Sequence, residues 1–106
     1  MSKTTISGRK ILITGASSGI GRAGALQLAA EGAQVLLTAR RADELASLVS
    51  EITAGGGQAQ AYPIDLTDND AVDALMASLF EEHGKIDVLI NNAGRSIRRS
   101  AAKSLE

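Results

Sequence analysis

The chain has 106 residues, a formal net charge of −1, a 44% apolar content and no cysteine. This balance excludes disorder, disulfides and thiolate metal sites, and it fits a reducing compartment. No apolar run reaches the roughly 18 residues needed to span a bilayer, and Met1 to Lys10 carries no apolar signal segment. A soluble cytoplasmic protein with neither membrane nor nucleic acid as partner is therefore expected.

The length allows one domain with one core. Tyr62 and Phe80 are the only aromatic residues, so that core must be built of Leu, Ile, Val and Ala. Such a composition suits a sheet layered with small-residue helices. Charge is uneven along the chain, with Arg95, Arg98, Arg99 and Lys103 set against Glu106 at the end of an acidic body.

Lys10 to Thr14 is a continuous apolar run stopping at Gly15, the pattern of a buried parallel strand. From Gly19 to about Glu31 the sequence is rich in Ala and Leu, with Gly32 as a stop. Gln34 to Ala39 reads as a second strand. Leu45, Leu48, Val49 and Ile52 then recur on one helical face, with Asp43 and Glu44 in the first turn, before Gly55-Gly56-Gly57. Gln58 to Ile64 is a third strand, broken near its end by Pro63. Thr67-Asp68-Asn69-Asp70 has the form of a capping box, opening a helix whose Val72, Leu75, Met76 and Leu79 share a face and which Gly84 closes. Ile86 to Ile90 is a fourth strand running into Asn91-Asn92-Ala93-Gly94.

This β-α-β-α-β-α-β order predicts an α/β fold, a Rossmann-type parallel sheet with strand order 3-2-1-4. Right-handed crossovers place the first two helices on one face and the third on the other. Ligands bind such sheets beyond the carboxyl ends of the strands, at the switch point between strands 1 and 4.

The loop after strand 1 reads Thr14-Gly15-Ala16-Ser17-Ser18-Gly19-Ile20-Gly21. Gly15 allows a sharp turn off the strand, Gly19 lets backbone N–H groups approach a diphosphate, and Gly21 permits close packing of the helix. Ser17 and Ser18 add hydroxyls. A strand before this loop and a helix after it are the context that such a glycine motif needs.

The spacing G-x3-G-x-G, together with Asn91-Asn92-Ala93-Gly94 after strand 4, resembles the short-chain dehydrogenase/reductase family, and the resemblance extends over essentially the whole chain. It implies that residues 1–106 are the N-terminal part of a single NADP-binding Rossmann domain. The parent protein would transfer hydride between a nicotinamide and a carbonyl or alcohol substrate, as a homo-oligomer. Gly15, Ser17, Ser18, Gly19, Ile20 and Gly21 become cofactor-binding candidates. By the same resemblance Asp65 bonds the adenine amino group, Leu66 packs on the ring, and Asn92, Ala93 and Gly94 line the ribose side. Asn91 is expected to tie neighbouring strands together.

Cofactor choice is read at the end of strand 2. An NAD enzyme places a carboxylate there for the ribose hydroxyls, whereas this chain has Thr38-Ala39-Arg40-Arg41. Arg40 can pair with a 2′-phosphate, which favours NADP. Arg40 and Arg41 can also be read as surface charges at a helix start, but the dipole disfavours two cations there.

No catalytic or metal-binding residue is assigned. His83, the only histidine, falls at a helix end and has no acid–nucleophile partners. The family's catalytic tyrosine precedes a lysine by four positions, but Leu66 follows Tyr62 at that distance, so Tyr62 is core or cofactor-adjacent packing. The expected catalytic serine, tyrosine and lysine would lie after strand 4, which reads the chain as an N-terminal fragment with strand 4 as a bare apolar edge. Arg95-Ser96-Ile97-Arg98-Arg99-Ser100 resembles the substrate loop of reductases acting on long acyl thioesters, and equally fits a solvated basic loop. Two further readings remain open: a non-catalytic NADP-binding module, and a structural fragment that pairs with a complementary half.

Overall fold

The computed structural model describes residues 6–17 and 19–92. Four strands and three helices alternate in the order β1 (Lys10–Thr14), α1 (Gly19–Ala30), β2 (Gln34–Ala39), α2 (Ala42–Ala54), β3 (Gln58–Pro63), α3 (Asn69–His83), β4 (Val88–Asn91). All strand pairs are parallel, and the sheet order is β3-β2-β1-β4, as the sequence pattern predicts. The chain has a Rossmann-type fold.

Strand periodicity divides the core into two layers. Ile11, Ile13, Val35, Leu37 and Ala39 project to one face and meet Ala25 and Ala29 of α1 and Leu45, Leu48 and Ile52 of α2. Leu12 and Leu36 project to the other face and meet Val72, Met76 and Leu79 of α3. The helix placement expected from right-handed crossovers is therefore the one observed. The central strands β1 and β2 are buried on both faces, which is why they read as unbroken apolar runs.

The buried residues of α1 are Gly21, Ala25 and Ala29, a stripe of small side chains one helical turn apart. This stripe brings the helix axis close to the sheet and fixes the start of α1 directly above the end of β1. On β4, Val88 and Ile90 lie in register with Ile11 and Ile13, yet are 40% and 38% exposed. The apolar edge expected of strand 4 is present among the described residues. No helix there is long and apolar enough to cross a membrane.

Several boundaries differ from the sequence reading, including the end of β4 at Asn91 instead of Ile90. The N-cap of α3 is Asp68, whose side chain accepts from Ala71 N at 3.1 Å, instead of Thr67. Thr67 is diverted because its backbone N–H and hydroxyl both bond Asp65 Oδ1, at 2.9 and 2.7 Å. β3 ends at Pro63, although Ile64 N still reaches Ala39 O at 2.9 Å. β4 begins at Val88, not Ile86: Ile86 is buried beneath α3, and Asp87 uses its carboxylate to accept Lys10 N at 2.9 Å before regular pairing starts.

Candidate nucleotide-binding site

The turn after β1 is built by backbone geometry. Gly15 and Gly19 have φ of +65° and +58°, a region costly for residues with a Cβ. Ala16 N bonds Thr38 O at 3.3 Å, anchoring the loop to the end of β2. On the other side, Asn92 Nδ2 donates to Gly15 O at 3.1 Å, so the loop is held between the ends of β2 and β4. A Cβ on Gly21 would collide with Gly15 O and come within 2.7 Å of Asn92 Nδ2. The third glycine of the motif is thus required by close approach of the helix to both loops.

Asn91 and Asn92 divide the work at the end of β4. Thr14 Oγ1, fully buried, donates to Asn91 Oδ1 at 3.0 Å across the β1–β4 pair. This is the strand-tying role expected of Asn91. Asn92 faces the glycine loop instead. Ser18, Ala93 and Gly94 lie outside the described residues, as do Arg95, Arg98 and Arg99.

Beyond the carboxyl ends of β1, β2 and β3 lies an open cavity of about 340 Å³, lined by Gly15, Ser17, Ala39, Arg40, Arg41, Asp65, Leu66 and Thr67. The fold therefore brings five of the sequence candidates, Gly15, Ser17, Arg40, Asp65 and Leu66, to one space. Leu66 serves two environments, being 7% exposed and packed in the α3 layer as well as lining the cavity. Asp65 is oriented by the two bonds from Thr67, an Asx-type turn that also locks the corner between β3 and α3.

Ile20 is not among the lining residues. It stands 83% exposed on the second residue of α1, an unusual position for a large apolar side chain. The sequence reading gave Arg41 and Thr67 no place in the site. Thr67 had a signal in the spacing Asp65-x-Thr67, since an aspartate commonly bonds the backbone two residues on. Arg41 had none beyond its neighbour.

The two arginines differ in their electrostatic surroundings. Among the described residues, Arg40 is exposed and has no ion-pair partner. Arg41 Nη2 lies 3.8 Å from Asp43 Oδ2, and its Nη1 lies 3.7 Å from Glu44 Oε2. Among the described residues no carboxylate from the end of β2 lines the cavity, and the acid that does line it, Asp65, comes from beyond β3.

Tyr62 is packing, but it does not adjoin the cavity. Its ring packs against the α3 layer, and its hydroxyl bonds Gln60 Oε1 at 2.7 Å and Glu82 Oε1 at 3.3 Å and lies 3.1 Å from His83 Nε2. Burial, reinforced by the charge and hydrogen bond of Glu82, pushes the phenol up to about 12. His83 holds the end of α3, its carbonyl accepting Lys10 Nζ at 2.6 Å.

The comparisons with known proteins agree with this geometry. The family model for short chain dehydrogenase matches residues 9–106. A fatty acyl-CoA reductase of Mycobacterium tuberculosis is 49% identical over 106 residues, covering 100% of this chain and 36% of its own length. A metagenomic short-chain oxidoreductase solved in complex with NADP superposes with a TM-score of 0.78 at 42% identity, over 81% of this chain and 39% of that one. L-sorbose reductase of Gluconobacter frateurii, complexed with NADPH and L-sorbose, gives a TM-score of 0.79 at 37% identity, over 88% and 36% of the two chains. The chain spans about a third of the length of the curated relatives it matches. With its glycine loop, its paired asparagines and its sheet all in the matching order, the chain belongs to the short-chain dehydrogenase family.

Proposed function

We propose that this chain holds NADP(H) beyond the carboxyl ends of β1, β2 and β3, as the cofactor-binding part of a short-chain oxidoreductase. The single observation that carries the choice of NADP is Arg40, a guanidinium on the cavity wall without an ion-pair partner among the described residues, where an NAD enzyme would present a carboxylate. A fork of five donors suits a phosphate monoester better than any other single side chain does.

The chain's residues fit the adenosine and pyrophosphate half of this cofactor. Gly15, Ser17, Ser18 and Gly19 supply a backbone and hydroxyl cradle at the start of α1, where the helix dipole favours an anion. Gly21 makes the cradle possible by letting α1 approach. Ile20, exposed on the second residue of α1, is the further candidate to contact the cofactor there. Asp65 accepts from the adenine amino group while Leu66 and Ala39 offer apolar surface to the ring. Asn92 keeps the loop in place, and with Ala93 and Gly94 it borders the ribose.

When bound, NADP(H) supplies or accepts a hydride. The partner substrate of the whole protein is a carbonyl or alcohol, and the likeness to a fatty acyl-CoA reductase supports an acyl thioester or its aldehyde. We place the activity in the cytoplasm, in a homo-oligomeric parent, with residues 1–106 as one part of a single dinucleotide-binding domain. The non-catalytic NADP-binding module and the fragment that pairs through β4 are the competing readings. The exposed Val88 and Ile90 favour the latter.

Calorimetric titration of the chain with NADPH and NADH tests the proposal. Binding of NADPH at least tenfold tighter than NADH is the expected result. Equal affinities would remove NADP as the preferred ligand.

A further inference from the structure

Arg40 and Arg41 line the same cavity, but only Arg41 is engaged by its own helix. Arg41 is the N-cap residue of α2, with extended backbone (φ −92°, ψ 99°) and no side-chain capping bond. Its guanidinium instead lies 3.8 Å from Asp43 and 3.7 Å from Glu44, the two acids of the first helical turn. A cation at a helix start opposes the dipole, and the acids compensate for it. The same two carboxylates compete with any anion in the cavity for the Arg41 guanidinium, which lines it.

We propose that Asp43 and Glu44 restrain Arg41 and thereby set the strength of phosphate recognition at this cavity. Arg40 is the resident anion contact, and Arg41 is a second contact held back by α2. This inference rests on the NADP reading above. The pairs are exposed, with side chains of Arg41, Asp43 and Glu44 at 64%, 76% and 39% accessibility, so each is individually weak and screened by salt. A weak restraint can be displaced, which makes Arg41 a tuning group for affinity while Arg40 makes the choice between cofactors.

The test is a binding cycle with the chain as it stands. Dissociation constants for NADPH and NADH are measured for the wild type, R40A, D43N/E44Q, R41A, and D43N/E44Q/R41A. Asn and Gln keep the shape of the acids and remove their charge. The readout is the ratio of NADH to NADPH dissociation constants within each variant, which cancels any fraction of unfolded protein and any general change in surface charge felt by the shared pyrophosphate. The expected result is a rise in this ratio of about three- to fivefold in D43N/E44Q, the size expected of exposed ion pairs. That gain should vanish in D43N/E44Q/R41A. An unchanged ratio in D43N/E44Q, or a gain that persists without Arg41, overturns the restraint. Failure of the underlying NADP reading shows separately, as a wild-type ratio near one that R40A does not alter.

Discussion

The two ends of the sheet handle charge in opposite ways. At the amino ends of the strands, charges are matched where they stand. Asp87 accepts Lys10 N, lies 3.4 Å from both Arg9 and Lys85, and is held below the usual carboxylate range, chiefly by that backbone bond. Lys10 Nζ is taken up by the carbonyl of His83. At the carboxyl ends, the chain instead turns on glycines with positive φ and leaves Arg40 without an ion-pair partner among the described residues. A network that neutralises itself contributes to the fold, whereas a cation left unpaired among the described residues beside an open cavity is where we propose an anion binds. The difference separates architecture from function within one small sheet.

Breaking the carboxyl end should have the largest effect. G21A forces a Cβ against Asn92 Nδ2 and against the backbone Gly15 O, which cannot yield without moving its loop. We expect a loss of about 2–3 kcal/mol in a denaturant titration, accompanied by loss of nucleotide binding. Wild-type stability in G21A would show that the loop relaxes freely and that the cradle is not set by this contact.

At the amino end the expected signature is a pH dependence. The Asp87 carboxyl titrates lower in the folded chain than in the unfolded one, so its interactions stabilise the fold above the unfolded value of about 3.9. That stabilisation is lost as pH falls through the lower, folded value. Chemical denaturation of D87N between about pH 6 and pH 3 should therefore show a shallower acid limb than the wild type. Nucleotide binding at neutral pH should be retained. Parallel limbs would mean that the network at this end contributes nothing through Asp87.

Smaller effects come from between the two ends. D68A removes the acceptor for Ala71 N at the start of α3 and should cost about 1 kcal/mol by thermal unfolding. The same experiment on T67A separates the two cap assignments, because Thr67 bonds Asp65 and not the helix. T38V acts in the other direction. Thr38 Oγ1 is a buried hydroxyl with no hydrogen-bond partner among the described residues, so replacing it with a methyl should stabilise by up to about 1 kcal/mol. A destabilised T38V would indicate a partner for that hydroxyl.

Much of this architecture was legible in the sequence because it depends on periodicity. The unbroken apolar runs at Ile11–Ile13 and Val35–Leu37, bounded by glycine-containing turns, carried the pattern of strands covered on both faces. The spacing of Leu45, Leu48 and Ile52 similarly fixed the buried side of α2. Boundaries were less legible where side chains compete for the same donors. Thr67 looked like a cap because Asp70 follows three residues later, yet Asp65 captures it first and the cap passes to Asp68. Ile86 looked like strand because it is apolar, but its burial comes from α3. At the cavity, the positions of Gly15 after β1 and Arg40 after β2 were legible from their spacing to those strands. The role of Arg41 could not, since it depends on how its side chain lies against Asp43 and Glu44.

The central claim is that an unmatched Arg40 directs this cavity toward a 2′-phosphate. The most direct measurement is the ratio of NADPH to NADH affinity in the wild type and in R40D. A wild-type preference for NADPH that collapses or reverses toward NADH in R40D is the predicted result, because the carboxylate repels the phosphate and can accept from ribose hydroxyls. An unchanged ratio in R40D, in a chain that remains folded, would contradict it.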